Sequence, residues 1–228
     1  VTPDTRAETR RSLHLVLFYA LSLARQRSDG LVWSVPMPGG FGSTVDGVTR
    51  RIEGREMVIE HGEVELARQR IGTLDEAMRF FGVDFDRARG ERNDLELPER
   101  TDEVLHVDLE AAGELAAWYA TGWAVLGRIL DRAGDQADTE RRLWNEHFDL
   151  AIELGEQAEG RRASIGFSPG DAQIPEPYVY VSPWDKDSTE NLLPPTHGWG
   201  VALPVSESDD PDSQEQFLVV ALEKLGAI

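Results

Sequence analysis

The chain has 228 residues, with 42 acidic against 23 basic side chains, a formal net charge of −19 and 40% hydrophobic residues. That is enough apolar material for a self-supporting core, and a cysteine count of zero excludes disulfides, thiolate chemistry and any Cys-ligated zinc or iron–sulfur site. A field of this sign repels phosphate backbones and anionic lipid, so nucleic acid and membrane are excluded as partners and any metal would rest on His, Asp and Glu.

The first predicted element is a helix in which Leu13, Val16, Leu17, Ala20, Leu21 and Ala24 recur at three- and four-residue spacing, while Leu15, Phe18 and Leu23 make it apolar nearly all round. Such a helix is central, and His14 on it reads as a core histidine with a hydrogen-bonded ring. The stretch Leu13 to Ala24 is about half of the ~20 residues that a membrane span needs, and no small-residue cleavage pattern follows it, so a soluble, cytoplasmic protein is expected.

From Leu31 to Ile71 short runs broken by Gly and Pro predict an antiparallel meander, with a hairpin turn at His61-Gly62. "PGGFGS" (38–43) lacks both the third glycine of a dinucleotide loop and the Gly-Lys of a P-loop, so it reads as a turn with Phe41 packed inward. Arg50, Arg51 and Arg55 near it could meet an anionic substrate; scattered surface arginine is the plainer reading. "TLDEAMRFFG" predicts a short helix with Thr73 and Glu76 as a capping box and Gly82 as its stop. A charged surface loop is expected over about 84–101, then a second long helix from Asp108 to near Gly134. "TERRLWNEHF" is read as one more helical turn, and after Trp199 a strand, an acidic loop and a last helix, Gln214 to Leu225, close the chain.

The stretch from His147 to Asp185 is read by strand parity, since residues i and i+2 share a face. Phe148, Leu150, Ile152, Phe167 and Val179 fall on one side. The pairing that keeps them together sets Asp149 beside Ser168 and Tyr178, Ala151 beside Gly166 and Tyr180, and Glu153 beside Ser164 and Ser182. The polar side is either a solvated sheet face or the floor of a pocket, with Tyr178 and Tyr180 as aromatic walls and Asp149 and Glu153 as acceptors. Trp144, Trp184 and Trp199 flank it, and Asp171 follows on the next loop.

Four motifs bear on chemistry. "GFSPG" matches the G-x-S-x-G nucleophile elbow, with Asp187 and His197 following in the right order, but Pro169, Gly170, Pro175 and Pro177 deny Ser168 the helix an elbow needs, so a tight turn is expected. His147-Phe-Asp149 and His106-Val-Asp108 are both His-x-Asp pairs, a spacing that points two ligands the same way on a strand, and His147 with Asp149 could hold a divalent metal together with Asp171 or Glu176. Asp149 and Glu153 as a hydrolytic carboxylate pair would stand about 13 Å apart along the backbone, wider than the usual separation.

The blocks "RRSLH", "PGGFGS", "LWNEHFDLAIELG", "ASIGFSPGD" and "PEPYVYVSPW" resemble those of an uncharacterised actinobacterial protein family from the first helix to about Trp184. The resemblance implies no reaction, cofactor or catalytic residue; the chain departs from the family at Asn145, where Pro is usual, and after Ser206. The expectation is one α+β domain over residues 1–228, with antiparallel strands from both halves packed on the two long helices. Its function would be that of a small-molecule-binding protein or enzyme using the polar face of strands 147–182, or else of a non-enzymatic interaction protein using the Trp184/Trp199 edge. The sequence names neither the ligand nor the oligomeric state.

Overall fold

The computed structural model describes residues 1–92, 98, 100–134, 139–192 and 197–228. The fold class is α+β: six α-helices and two antiparallel five-stranded sheets among those residues. Strands from the N-terminal and C-terminal halves form separate sheets. The chain divides into two compact units, Val1–Ala117 with Leu143–Phe148, and Trp118–Arg142 with Asp149–Ile228.

In the first unit, α1 (Pro3–Val16) runs through a π-helical turn, Leu17–Leu21, into α2 (Ser22–Asp29). All five π-turn residues are fully buried, as the all-round apolar pattern requires. Two local bonds accompany the widened turn. The Ser22 hydroxyl donates to the Phe18 carbonyl at 2.7 Å, and the Ser22 amide bonds the carbonyl of Leu17 instead. His14 is a core histidine as expected: its ring stacks on Phe148 at 5.2 Å and its Nε2 lies 2.8 Å from the Asn145 carbonyl. A carbonyl only accepts, so Nε2 carries the proton.

The meander is β1 (Val35–Met37), β2 (Gly40–Val45), β3 (Val48–Glu53), β4 (Glu56–His61) and β5 (Val64–Arg70), paired in that order. The β4–β5 turn is Gly62-Glu63, one residue later than the sequence suggests, with Gly62 supplying φ 60°. Gly40 and Gly42 lie within β2, where a Cβ would come within 2.0 Å and 2.4 Å of β3 carbonyl oxygens. α3 (Leu74–Phe81) has the anticipated capping box and its stop at Gly82.

The expected loop over 84–101 holds a short helix, α4 (Arg87–Arg92), while positions 93–97 and 99 lie outside the described residues. Arg89 is buried there, donating to Gln26 and Ser22 with its guanidinium over the Phe18 ring, so this segment is not all surface. The helical turn expected before residue 149 is instead β6 (Arg142–Trp144) and a turn, 145–148, closed by the Phe148 amide on the Trp144 carbonyl at 2.9 Å. Phe148 adopts φ 56°, rare for a bulky residue; its ring is buried between His14 and Phe41.

α5 (Leu109–Ala133) begins in the first unit and ends in the second. In the second unit β7 (Asp149–Leu154), β8 (Ala163–Ser168), β9 (Tyr178–Pro183) and β10 (Val201–Pro204) follow the sheet order β10-β9-β8-β7-β6. Their apolar face packs on α5: Phe167 meets Trp118 at 5.0 Å, and Gly122 leaves room for it, since a Cβ there would lie 2.6 Å from the Phe167 ring. α6 (Pro211–Leu225) starts three residues earlier than predicted because Asp210 caps it and Pro211 opens it. Among the described residues no helix is long and apolar enough to cross a membrane.

His14 generates a test. Burial, reinforced by nearby His147 and opposed by the Asn145 hydrogen bond, lowers its pKa from 6.5 to about 4. Between those values the unfolded chain binds the proton that the folded chain refuses, so stability falls as pH drops from 6.5 toward 4, by roughly 3 kcal/mol at most. Urea denaturation across this range should show that slope for the wild type and a flatter one for His14→Gln, which keeps a donor but does not titrate.

Candidate functional site

The polar side of the second sheet has the register that parity predicts: Ala151 pairs Gly166, Glu153 pairs Ser164, and on the next strand Ser164, Gly166 and Ser168 pair Ser182, Tyr180 and Tyr178. Tyr180 lies across Gly166, where a Cβ would sit 2.9 Å from its ring. Asp149, at the first position of β7, accepts a hydrogen bond from the Tyr180 hydroxyl. Tyr178 donates to Asp171 at 2.6 Å. Asp171 is itself fixed by accepting the amides of Gln173 (2.6 Å) and Ile174 (2.8 Å).

This face is covered rather than open. Trp199 packs against Tyr178 and Tyr180 with centroids 6.2 Å and 6.1 Å away, and His197 stacks on Trp199 at 5.3 Å. Asp149 is 7% exposed, Tyr178 6% and Tyr180 9%. Three rings mutually about 6 Å apart are in contact with one another and leave no ligand-sized gap. Burial first, then for Tyr180 the charge of Asp149 and for Tyr178 the bond to Asp171, push both phenols well above their ordinary pKa, so both stay protonated donors and neither can serve as a phenolate base.

The other candidates separate from this cluster. Glu153 is bound by Arg162 at 2.9 Å, and Arg162 also lies 5.1 Å from the Trp184 ring, whose Nε1 donates to Ser164 at 3.0 Å. Trp184 remains 46% exposed. His147 sits exposed in the 145–148 turn, outside the strand that begins at Asp149, so the two do not share a strand face. Among the described residues no three His, Asp or Glu side chains come together as a metal site. Ser168 ends an antiparallel strand, its hydroxyl accepts the Gly170 amide at 3.1 Å, and no hydrogen bond among the described residues joins it to Asp187 or His197. That is a turn, not an elbow.

An open concavity lies in the first unit. A groove of about 490 Å³ is lined by Thr5, Glu8 and Thr9 of α1, by Arg55 in the β3–β4 turn, by Arg70 at the end of β5 with Ile71 and Gly72, and by residues 104–108. Backbone bonds shape it: Ile71 N–H to Arg55 O at 2.9 Å, Leu105 N–H to Gly72 O at 2.7 Å, and Asp108 N–H to Thr9 Oγ1 at 3.1 Å. Gly72 packs closely here: a Cβ would stand 2.0 Å from the end of the Glu76 side chain, so a larger residue would displace the carboxylate that returns to the Thr73 amide in the capping box.

The groove's electrostatics differ from those of the sheet beside it. On that sheet Arg51 pairs with Glu60 and Glu53, and Arg68 with Glu53 and Glu65; these arginines hold Glu53 and Glu60 below the usual carboxylate range. Arg55 and Arg70 form no ion pair with a described residue. Sequence reading singled out Arg55 and the His106/Asp108 pair separately. It missed Arg70, Thr5, Glu8 and Thr9, because four segments far apart in the chain contribute the walls and no local spacing links them.

The chain matches none of the protein-family models, curated proteins or solved structures with which it was compared. Functional inference therefore rests on geometry alone.

The covered face predicts a stability role for its network. Tyr180→Phe removes the hydroxyl donor from the buried Asp149 carboxyl and is expected to destabilise by about 1–3 kcal/mol, read as a lower urea midpoint at unchanged m-value. Wild-type stability in that variant would show the hydrogen bond to be idle.

Proposed function

We propose that this protein binds a small molecule through an anionic group, a carboxylate or phosphate, in the groove between α1 and the β5 end of the first sheet. The observation that carries the reading is the pair Arg55 and Arg70. In a chain with a net charge of −19, two guanidinium groups border one concavity without an ion-pair partner among the described residues. Guanidinium forks suit carboxylate and phosphate, and the hydroxyls of Thr5 and Thr9 with the His106 ring add further hydrogen-bonding groups beside them. Ile71, Leu105 and Val107 give the apolar lining against which a carbon skeleton packs, and the volume falls within the range of small-molecule sites. The protein's overall negative field works against long-range capture of an anion, so recognition here is short-range.

A second reading keeps the ligand on the β7–β9 face, with Trp199 displaced on binding. Three aromatic rings above two carboxylates favour it, an arrangement suited to an organic cation.

One calorimetric series separates the two. Succinate and inorganic phosphate are titrated into the full chain. Wild type should bind at least one, Arg55→Gln and Arg70→Gln should each weaken it about fivefold or more, the ~1 kcal/mol of an exposed charge-assisted bond, and Asp149→Asn should retain it. Tetramethylammonium titrated in parallel should not bind; its binding to wild type and loss in Asp149→Asn would move the site to the strand face, and no binding of either anion would remove the groove reading.

A further inference from the structure

The groove holds charges of both signs. Arg55 and Arg70 come from the meander, at the β3–β4 turn and the end of β5, whereas Glu8 comes from α1 and Asp108 from the start of α5. Asp108 caps α5 with Oδ1 on the Ala111 amide at 2.9 Å, which leaves its second carboxylate oxygen for another donor. Glu8 stands one helical turn from Thr5 on the same α1 face. None of the four makes an ion pair with another, or with any described residue, although all four border one concavity.

The neighbouring sheet shows the alternative. There Arg51 and Arg68 close directly onto Glu53, Glu60 and Glu65. In the groove no such pair closes, while Ile71 N–H bonds Arg55 O at the arginine-bearing strand ends and Asp108 N–H bonds Thr9 Oγ1 between the carboxylate-bearing helices. Unpaired charges of both signs lining one open groove complement a ligand that itself carries both signs. A simple anion would satisfy the arginines and would leave Glu8 and Asp108 repelling it.

Resting on the groove reading above, we infer that the ligand is a small zwitterion, with a carboxylate or phosphate held by Arg55 and Arg70 and a protonated amine held by Glu8 and Asp108. The chemical class is that of amino acids and aminoalkyl phosphates. His106, exposed on the segment that joins the two sets of charges, adds a hydrogen-bonding group to the same ligand.

The test compares molecules of equal length that differ only in the ammonium group: acetate with glycine, butyrate with 4-aminobutyrate, and hexanoate with 6-aminohexanoate. Each is titrated into the full chain by two-dimensional NMR. At least one amino acid of the series should bind fivefold or more tightly than its amine-free counterpart, the chain length of that pair measuring the charge separation in the groove. Glu8→Gln, and Asp108→Asn, which keeps a capping residue on α5, should bring that pair to within about twofold of each other, while Arg55→Gln should weaken both members. Equal affinity within every pair, with succinate or phosphate still bound, would overturn the zwitterion inference and leave the anion site standing. No saturable shift with any of these ligands, succinate and phosphate included, would remove both.

Discussion

The first unit's groove depends on how the chain is held as it leaves the meander. Ile71 bonds back to Arg55, Gly72 receives the Leu105 amide, Asp75 bonds the Thr101 carbonyl, and Thr73 bridges Val104 in antiparallel fashion. These ties bring the 104–108 segment against the end of the sheet, and Asp108 then bonds to Thr9 on α1. The same stretch also starts α3. Thr73 caps it and Glu76 returns to the Thr73 amide, occupying the space where a side chain on residue 72 would go. Gly72 therefore lies between a helix cap on one side and a backbone hydrogen bond on the other, and the groove wall is built from both.

The contrast between the β7–β9 face and the groove is one of satisfied and unsatisfied charge. On the β7–β9 face, residues with chemical potential are spent on one another: Tyr180 on Asp149, Tyr178 on Asp171, Glu153 on Arg162, Trp184 on Ser164. Buried polar groups demand such partners, and a Trp199 ring laid over the two tyrosines completes the cover. Around the groove, charged side chains remain in water and apart. Holding exposed charges unpaired costs little, because solvent screens them, and their free energy becomes available when a ligand displaces that solvent.

Much of the fold was legible in the sequence where a local rule governs it. The register of β7, β8 and β9 followed from parity, because a one-residue slip would have turned Leu150, Ile165 and Val181 out of the core. The capping box and the buried first helix were equally local. What failed was non-local or rare. The π turn coincides with a serine hydroxyl bonded to the Phe18 carbonyl, the left-handed Phe148 packs against His14 and Phe41 from a distant helix and strand, and Arg89 is buried against Ser22, Gln26 and the Phe18 ring. Likewise, parity placed Asp149, Tyr178 and Tyr180 together but could not tell that Trp199 covers them. The groove left almost no trace, since Glu8, Arg55, Arg70 and Asp108 become neighbours only through tertiary hydrogen bonds.

The most direct measurement is a residue-resolved NMR titration of the isotope-labelled full chain with succinate. If the open groove is the binding site, the amides of Arg55, Gly72, Leu105, His106 and Asp108 shift together along one saturating curve while Gly166, Ser168 and Tyr180 stay in place. Shifts that saturate at Gly166, Ser168 and Tyr180 while the groove amides stay in place would contradict it.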